Sequence, residues 1–221
     1  IEYSKHGGHI NTDAVDNSGG VNMSDLEVNL KILLRGAVER GALTIEKRNA
    51  LLMTLAEDVG ERVVSRNRSQ SKAISLGVRR SRKNLSYYRG LTSALEVEGL
   101  LDRKSEFLPD EETYERRNQL KAGLCRPELA ILIGYSKMSL FNLIVDSTLP
   151  EDPFLERFLF GYFPEALQEQ FADDIRAHPL RREIIATEVA NALVDRMGST
   201  FVFQTAEETG AKKLAIVRSF L

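Results

Sequence analysis

After Ser24 the apolar residues recur at three- and four-residue intervals, and none of the six prolines interrupts that rhythm. No other feature constrains the fold as tightly. Pro109, Pro127, Pro150, Pro153, Pro164 and Pro179 each fall where a helix can begin or has just ended. Proline lacks an amide hydrogen and is tolerated only there. Leu26, Leu30, Leu33, Ala37 and Val38 mark one face of a helix over about 24–39, stopped by Gly41. Thr44 caps a second helix carrying Leu51, Leu52, Leu55 and Val59. Further helices are predicted at about 110–121, 127–147, 153–161, 164–177, 179–197 and 199–209, with a frayed tail after Gly210. The 127–147 segment, with Leu129, Leu132, Ile133, Leu140 and Ile144, reads as the buried centre of a bundle. Phe154, Phe158, Phe160, Tyr162, Phe163 and Phe171 follow at helical spacing and read as core. No alternating apolar and polar run of useful length occurs outside residues 8–15, and no hairpin dipeptide joins two β-rich runs. The predicted class is mainly α, a multi-helix bundle preceded by a short glycine-rich loop segment.

That N-terminal segment, residues 1–23, is the part that packing explains least. Gly19 and Gly20 stand among short polar residues that favour turns. Ser24 followed by Glu27 has the pattern of a capping box, which places a helix start at about Ser24. A glycine turn feeding a helix N-terminus gathers unpaired N–H groups and a positive dipole end, a setting suited to a carboxylate or phosphate. Ser24 adds a hydroxyl. Capping chemistry alone asks no more of Ser24 than to close its helix.

Between Arg62 and Arg89 there are nine basic residues and no acidic one. Ile74, Val78, Leu85, Leu91 and Leu95 run an apolar stripe through the same segment, so it reads as a long amphipathic helix with a basic outer face. Glu96, Glu98, Glu111, Glu112 and Glu115 lie downstream as internal partners. An alternative reading makes this face the docking surface of a helical interaction module for a protein or nucleic acid. Against nucleic acid, Tyr87 and Tyr88 are too few for a stacking platform, and the net charge of −2 provides no global attraction.

One cysteine, Cys125, excludes an intrachain disulfide and a cysteine-based zinc cluster, and fits a reducing, cytoplasmic setting. His6 and His9 form the one close histidine pair, in a segment that reads as solvated rather than as a metal site. No apolar run approaches the length of a transmembrane helix, so no membrane partner is expected. The chain opens at Ile1 directly in glycine-rich sequence and reads as a fragment of something longer.

Asn17-Ser18-Gly19-Gly20-Val21, with Ser24, Glu27 and Asn29 after it, resembles the loop that closes the active site of amino-acid dehydrogenases of the glutamate dehydrogenase type. The fuller string from Gly7-Gly8-His9-Ile10-Asn11-Thr12-Asp13 is similar to the large NAD-specific glutamate dehydrogenases of bacteria. So are Arg126-Pro127-Glu128-Leu129-Ala130, Tyr162-Phe163-Pro164 and His178-Pro179-Leu180-Arg181-Arg182-Glu183-Ile184. The likeness covers essentially the whole chain. It implies a larger α/β dehydrogenase that converts L-glutamate to 2-oxoglutarate and ammonium, by hydride transfer to NAD and hydrolysis of the imine. By that resemblance Asn17 lies beside the nicotinamide, while Val21 and Ser24 contact substrate, Ser24 through the side-chain carboxylate. Gly19 stands where alanine is expected, and Asn22-Met23 replaces the usual pair, which touches only fine loop geometry.

The resemblance also implies a division: residues 1–23 end the catalytic region and residues 24–221 form a C-terminal helical domain. No G-x-G-x-x-G turn and no series of strands occurs here, so NAD is expected to be held mainly by parts of the protein outside this fragment. The family's catalytic lysine and aspartate are expected upstream as well. No catalytic residue is carried over, and the fragment alone is not expected to be active. Its expected partners are the upstream domains of the same chain and like subunits of a homo-oligomer. Bracing the active-site loop, oligomerisation and effector binding are equally open roles for the helical part.

Overall fold

In the computed structural model, which describes residues 1–221, α1 (Glu2–Lys5) is a single turn and α2 runs unbroken over Asp13–Glu39. The expected loop over 13–23 is therefore helix, and Ser24 sits inside that helix rather than capping it. The physical reason lies at both ends of the segment. Asp13 and Asp16 occupy the first turn, where a carboxylate meets the positive end of the helix dipole. The Thr12 carbonyl accepts from the Val15 amide at 3.0 Å, and the Val15 side chain is buried. Leu26, Leu30, Leu33, Leu34 and Ala37, all buried, continue the apolar stripe. Each glycine costs roughly 1 kcal/mol against alanine in a helix. Two such penalties are small beside the burial of six side chains at roughly 1.5–3 kcal/mol each for the larger ones.

α3 (Ile45–Thr54) starts where predicted, with the Thr44 hydroxyl accepting from the Lys47 amide at 3.3 Å. The long basic helix is two, α4 (Ala56–Lys83) and α5 (Leu85–Val97), separated at Asn84. After Gly99, in the left-handed region at φ 72°, come α6 (Glu111–Gln119) and α7 (Arg126–Val145). Two short 3-10 turns lead into α8 (Glu156–Tyr162). The predicted helix over 164–177 is broken into α9 (Glu165–Gln168) and α10 (Ala172–Arg176). α11 (Arg181–Met197) and α12 (Phe201–Thr209) match expectation. The expected frayed tail is instead α13 (Lys213–Phe220), because Ile216 and Val217 are buried and α13 packs on α12. No strand is present.

The chain divides into two compact units. The first comprises residues 1–16, 69–143 and 190–221; within it α5 packs on α6 and α12. Its buried centre includes Ile74, Leu95, Tyr114, Leu129, Leu132 and Ile133. Arg103 staples the α5 end, reaching both Glu96 carboxylate oxygens at 2.8 and 2.6 Å and Glu111 at 2.7 Å. The second unit comprises residues 17–68 and 144–189 and is built on Leu26, Leu30, Leu34, Leu155, Tyr162 and Phe163.

α7 is the one helix long and apolar enough, by length and composition, to cross a membrane, which the sequence reading did not anticipate. Leu129, Leu132, Ile133, Leu140 and Ile144 are buried, as a bundle centre requires. Two of its three charges are paired inside the protein, Glu128 with Arg117 and Lys137 with Asp195 at 2.8 Å, and Arg126 donates to Asn11 at 2.9 Å. A helix with those pairs and that burial is a core element here.

Candidate functional site

Asn17, Val21 and Ser24 stand four and three residues apart on α2, so the helix places them on one face. All three are exposed. The structure thus brings the three predicted site residues together, though on helical backbone and not on a turn. The stripe joins a carboxamide, an apolar side chain and a hydroxyl. It can donate hydrogen bonds to a carboxylate or an amide, and it offers no general base. Its chemistry is binding.

Gly19 and Gly20 play different parts in this helix. A Cβ on Gly19 would come 3.1 Å from the Asn67 side-chain nitrogen, while one on Gly20 would meet only the Asn17 Oδ1 at 3.6 Å. Asn67 itself accepts from the Ser18 hydroxyl at 2.9 Å. Gly19 therefore keeps α2 close to α4, and Gly20 leaves the exposed face bare beside Asn17.

Just C-terminal of the stripe, Asp25 and Asn29 enter a partly buried polar network that sequence reasoning missed. The Asn29 side chain donates to the Tyr162 hydroxyl at 2.8 Å, and Tyr162 donates to Asp25 at 2.8 Å. Asn29 Nδ2 also reaches Asp25 at 3.2 Å, and its Oδ1 is buried without a partner. Burial, then the Asp25 carboxylate, pushes the Tyr162 phenol far above its usual range, so it stays a donor. The Arg66 guanidinium lies 5.1 Å from the Tyr162 ring centroid and pairs with Glu188 at 2.8 Å. His178 completes the set: its Nε2 faces the Asn29 carbonyl at 3.2 Å and its Nδ1 accepts from the Leu180 amide at 3.1 Å. Burial holds its pKa below the ordinary value. The only sequence signal for this network was Asn29 itself, a polar residue on the apolar stripe between Leu26 and Leu30.

The basic run of α4 and α5 does not form one free face. Arg62 bonds Asp58 at 3.0 Å and the Gly161 carbonyl at 2.8 Å. Arg80 donates to the Met197 carbonyl at 2.5 Å, and Arg89 pairs with Glu111. With Arg66 on Glu188, four of the nine charges are committed internally.

Comparison with known proteins gives one consistent answer. Residues 1–77 match the family model described as bacterial NAD-glutamate dehydrogenase, catalytic domain, and residues 121–221 match glutamate dehydrogenase, C-terminal. The α2 stripe falls within the first match. All 221 residues align with the NAD-specific glutamate dehydrogenase of Pseudomonas aeruginosa at 43% identity and with that of Halomonas elongata at 42%. The protein of the same description from Mycobacterium tuberculosis aligns at 36% identity over the same residues. The chain spans 14% of the length of each of these relatives.

Proposed function

The chain belongs to the bacterial NAD-specific glutamate dehydrogenase family, and from that premise we propose that it forms one wall of a glutamate-oxidising active site together with the helical region behind it. The reaction of the whole protein is the conversion of L-glutamate to 2-oxoglutarate and ammonium. NAD, when bound, accepts the hydride. The observation that carries this reading is the convergence of Asn17, Val21 and Ser24 on one exposed face inside the segment similar to a catalytic domain.

Each side chain has a role its chemistry suits. The Ser24 hydroxyl donates to the side-chain carboxylate of glutamate. Val21 lies against the substrate's methylene groups and keeps water from them. The Asn17 carboxamide orients the nicotinamide end of the cofactor. The residues present do not fit the rest of NAD: no strand leads into a glycine-rich turn of the kind that holds a dinucleotide's pyrophosphate. Those contacts, and the groups that move protons during the reaction, belong to parts of the protein outside this chain. The upstream domains are thus partners in the same site.

Ser24→Ala in the full-length protein tests the assignment. The change removes a charge-assisted hydrogen bond worth roughly 1.5–3 kcal/mol, so KM for glutamate should rise about tenfold to a hundredfold. An unchanged KM with full turnover removes Ser24 from the site.

A further inference from the structure

A second candidate binding site lies in the first unit, away from the α2 stripe in chain position and in chemistry. The end of α4, the end of α6, the start of α7 and residues 4–9 line a groove of about 990 Å³. That volume is at the upper end of small-molecule sites, which run roughly 300–1,000 Å³. Seven lysine or arginine side chains and His9 border it, and no aspartate or glutamate does. In a chain with net charge −2, such a one-signed lining is a local departure from the average.

Three of the cations are already engaged. Lys5 pairs with Glu2, Arg117 with Glu128, and Arg126 holds Asn11 at 2.9 Å and Ser75 at 2.7 Å. Arg79, Arg82, Arg116 and Lys121 are exposed and have no carboxylate within ion-pair distance. Four like charges gathered on one concave surface repel one another, and a bound anion reverses the sign of that energy. Guanidinium groups match phosphate oxygens with two parallel N–H donors, which favours phosphate over a halide-like point charge. No Phe, Tyr or Trp lines the groove, so it has no platform on which a nucleobase could stack. Charge is what this surface can read.

We propose that this groove binds a small polyanion carrying two or more phosphate groups, held by Arg79, Arg82, Arg116 and Lys121. Calorimetric titration of the full-length protein with inorganic tripolyphosphate, at saturating NAD so that the cofactor site is filled, tests it. Saturable binding is expected, weakening with added salt and weakening at least tenfold in an Arg79→Gln/Arg82→Gln double variant. Both side chains are exposed, so the variant should keep its helical circular dichroism and its glutamate turnover. Ser24→Ala should leave tripolyphosphate binding untouched, which separates this site from the α2 stripe. Absence of saturable binding to the wild type overturns the proposal, as does equal affinity in the double variant. Binding of an RNA oligonucleotide without binding of tripolyphosphate also overturns it, since the groove would then be part of a larger surface.

Discussion

The Tyr162 hydroxyl donates to the Asp25 carboxylate at 2.8 Å, tying a buried aromatic to the residue that follows Ser24. The same hydroxyl accepts from Asn29 one turn further along α2. The phenol thereby ties down α2 just after the stripe, as the Ser18–Asn67 bond does beside Asn17. Tyr162→Phe removes both bonds and leaves Asn29, whose Oδ1 already lacks a partner, more poorly satisfied. Losing such a buried contact costs roughly 1–3 kcal/mol. Hydrogen exchange over residues 25–33 should speed up, and in the full-length protein KM for glutamate should rise more than kcat falls. Unchanged protection of α2 would show that packing alone fixes the helix.

His178 sets a limit on acid stability. Its Nδ1 accepts from the Leu180 amide, so a second ring proton would face an N–H head on. Burial lowers its folded pKa below the ordinary 6.5, and the unfolded chain binds the proton first as pH falls. The stabilisation is therefore complete above about pH 6.5 and is lost as pH drops toward the depressed folded value. A thermal midpoint measured from pH 7.5 to 5 should fall for the wild type. In His178→Gln, which keeps hydrogen-bonding atoms but cannot titrate, that part of the slope should vanish. A slope that persists unchanged assigns the acid sensitivity to other groups.

Helix existence was legible because burial here follows a simple period. Leu26, Leu30, Leu33 and Ala37 announce α2, and Leu129, Leu132 and Ile133 announce α7. Local signals misled where tertiary packing outweighed them. Gly19 and Gly20 look like a turn, yet Asn67 approaches Gly19 and Val15 is buried, so the helix continues through both. Ser24 and Glu27 have capping-box spacing without a helix end to cap. The three stripe residues were found by likeness to a family, and the helix then put them on one face. The Asp25, Asn29, Tyr162 and His178 network was illegible because its members are up to 153 positions apart and nothing local marks their pairing.

Arg117 and Glu128 make the most buried ion pair of the chain. Both guanidinium nitrogens reach the carboxylate at 2.8 Å, and Glu128 also accepts from the Cys125 amide at 2.8 Å, closing the start of α7. Glu128 has no exposed side-chain surface. Arg117→Met strands that charge and should destabilise the chain by roughly 3–5 kcal/mol. Adding Glu128→Leu should recover most of the loss, because an apolar pair needs no compensating charge. Denaturant unfolding of the two variants distinguishes a stranded charge from lost packing: without recovery in the double variant, packing is the cause.

Gly20 decides whether α2 is helical through the stripe in the folded protein. Its backbone is outside the positive-φ region, and a Cβ there would touch only Asn17 Oδ1 at 3.6 Å, an ordinary contact. Alanine restricts the unfolded chain and favours helix, so Gly20→Ala should stabilise by roughly 0.4–1 kcal/mol. Gly19→Ala is the matched control: its Cβ would meet Asn67 at 3.1 Å, so the helical gain is offset by displacing that amide. The expected order of thermal midpoints is Gly20→Ala above wild type, with Gly19→Ala at or below it. If Gly20→Ala instead lowers the midpoint, residue 20 needs a backbone conformation that alanine resists. Asn17 and Val21 would then reach the substrate from a turn, with Ser24 at the head of a shorter helix.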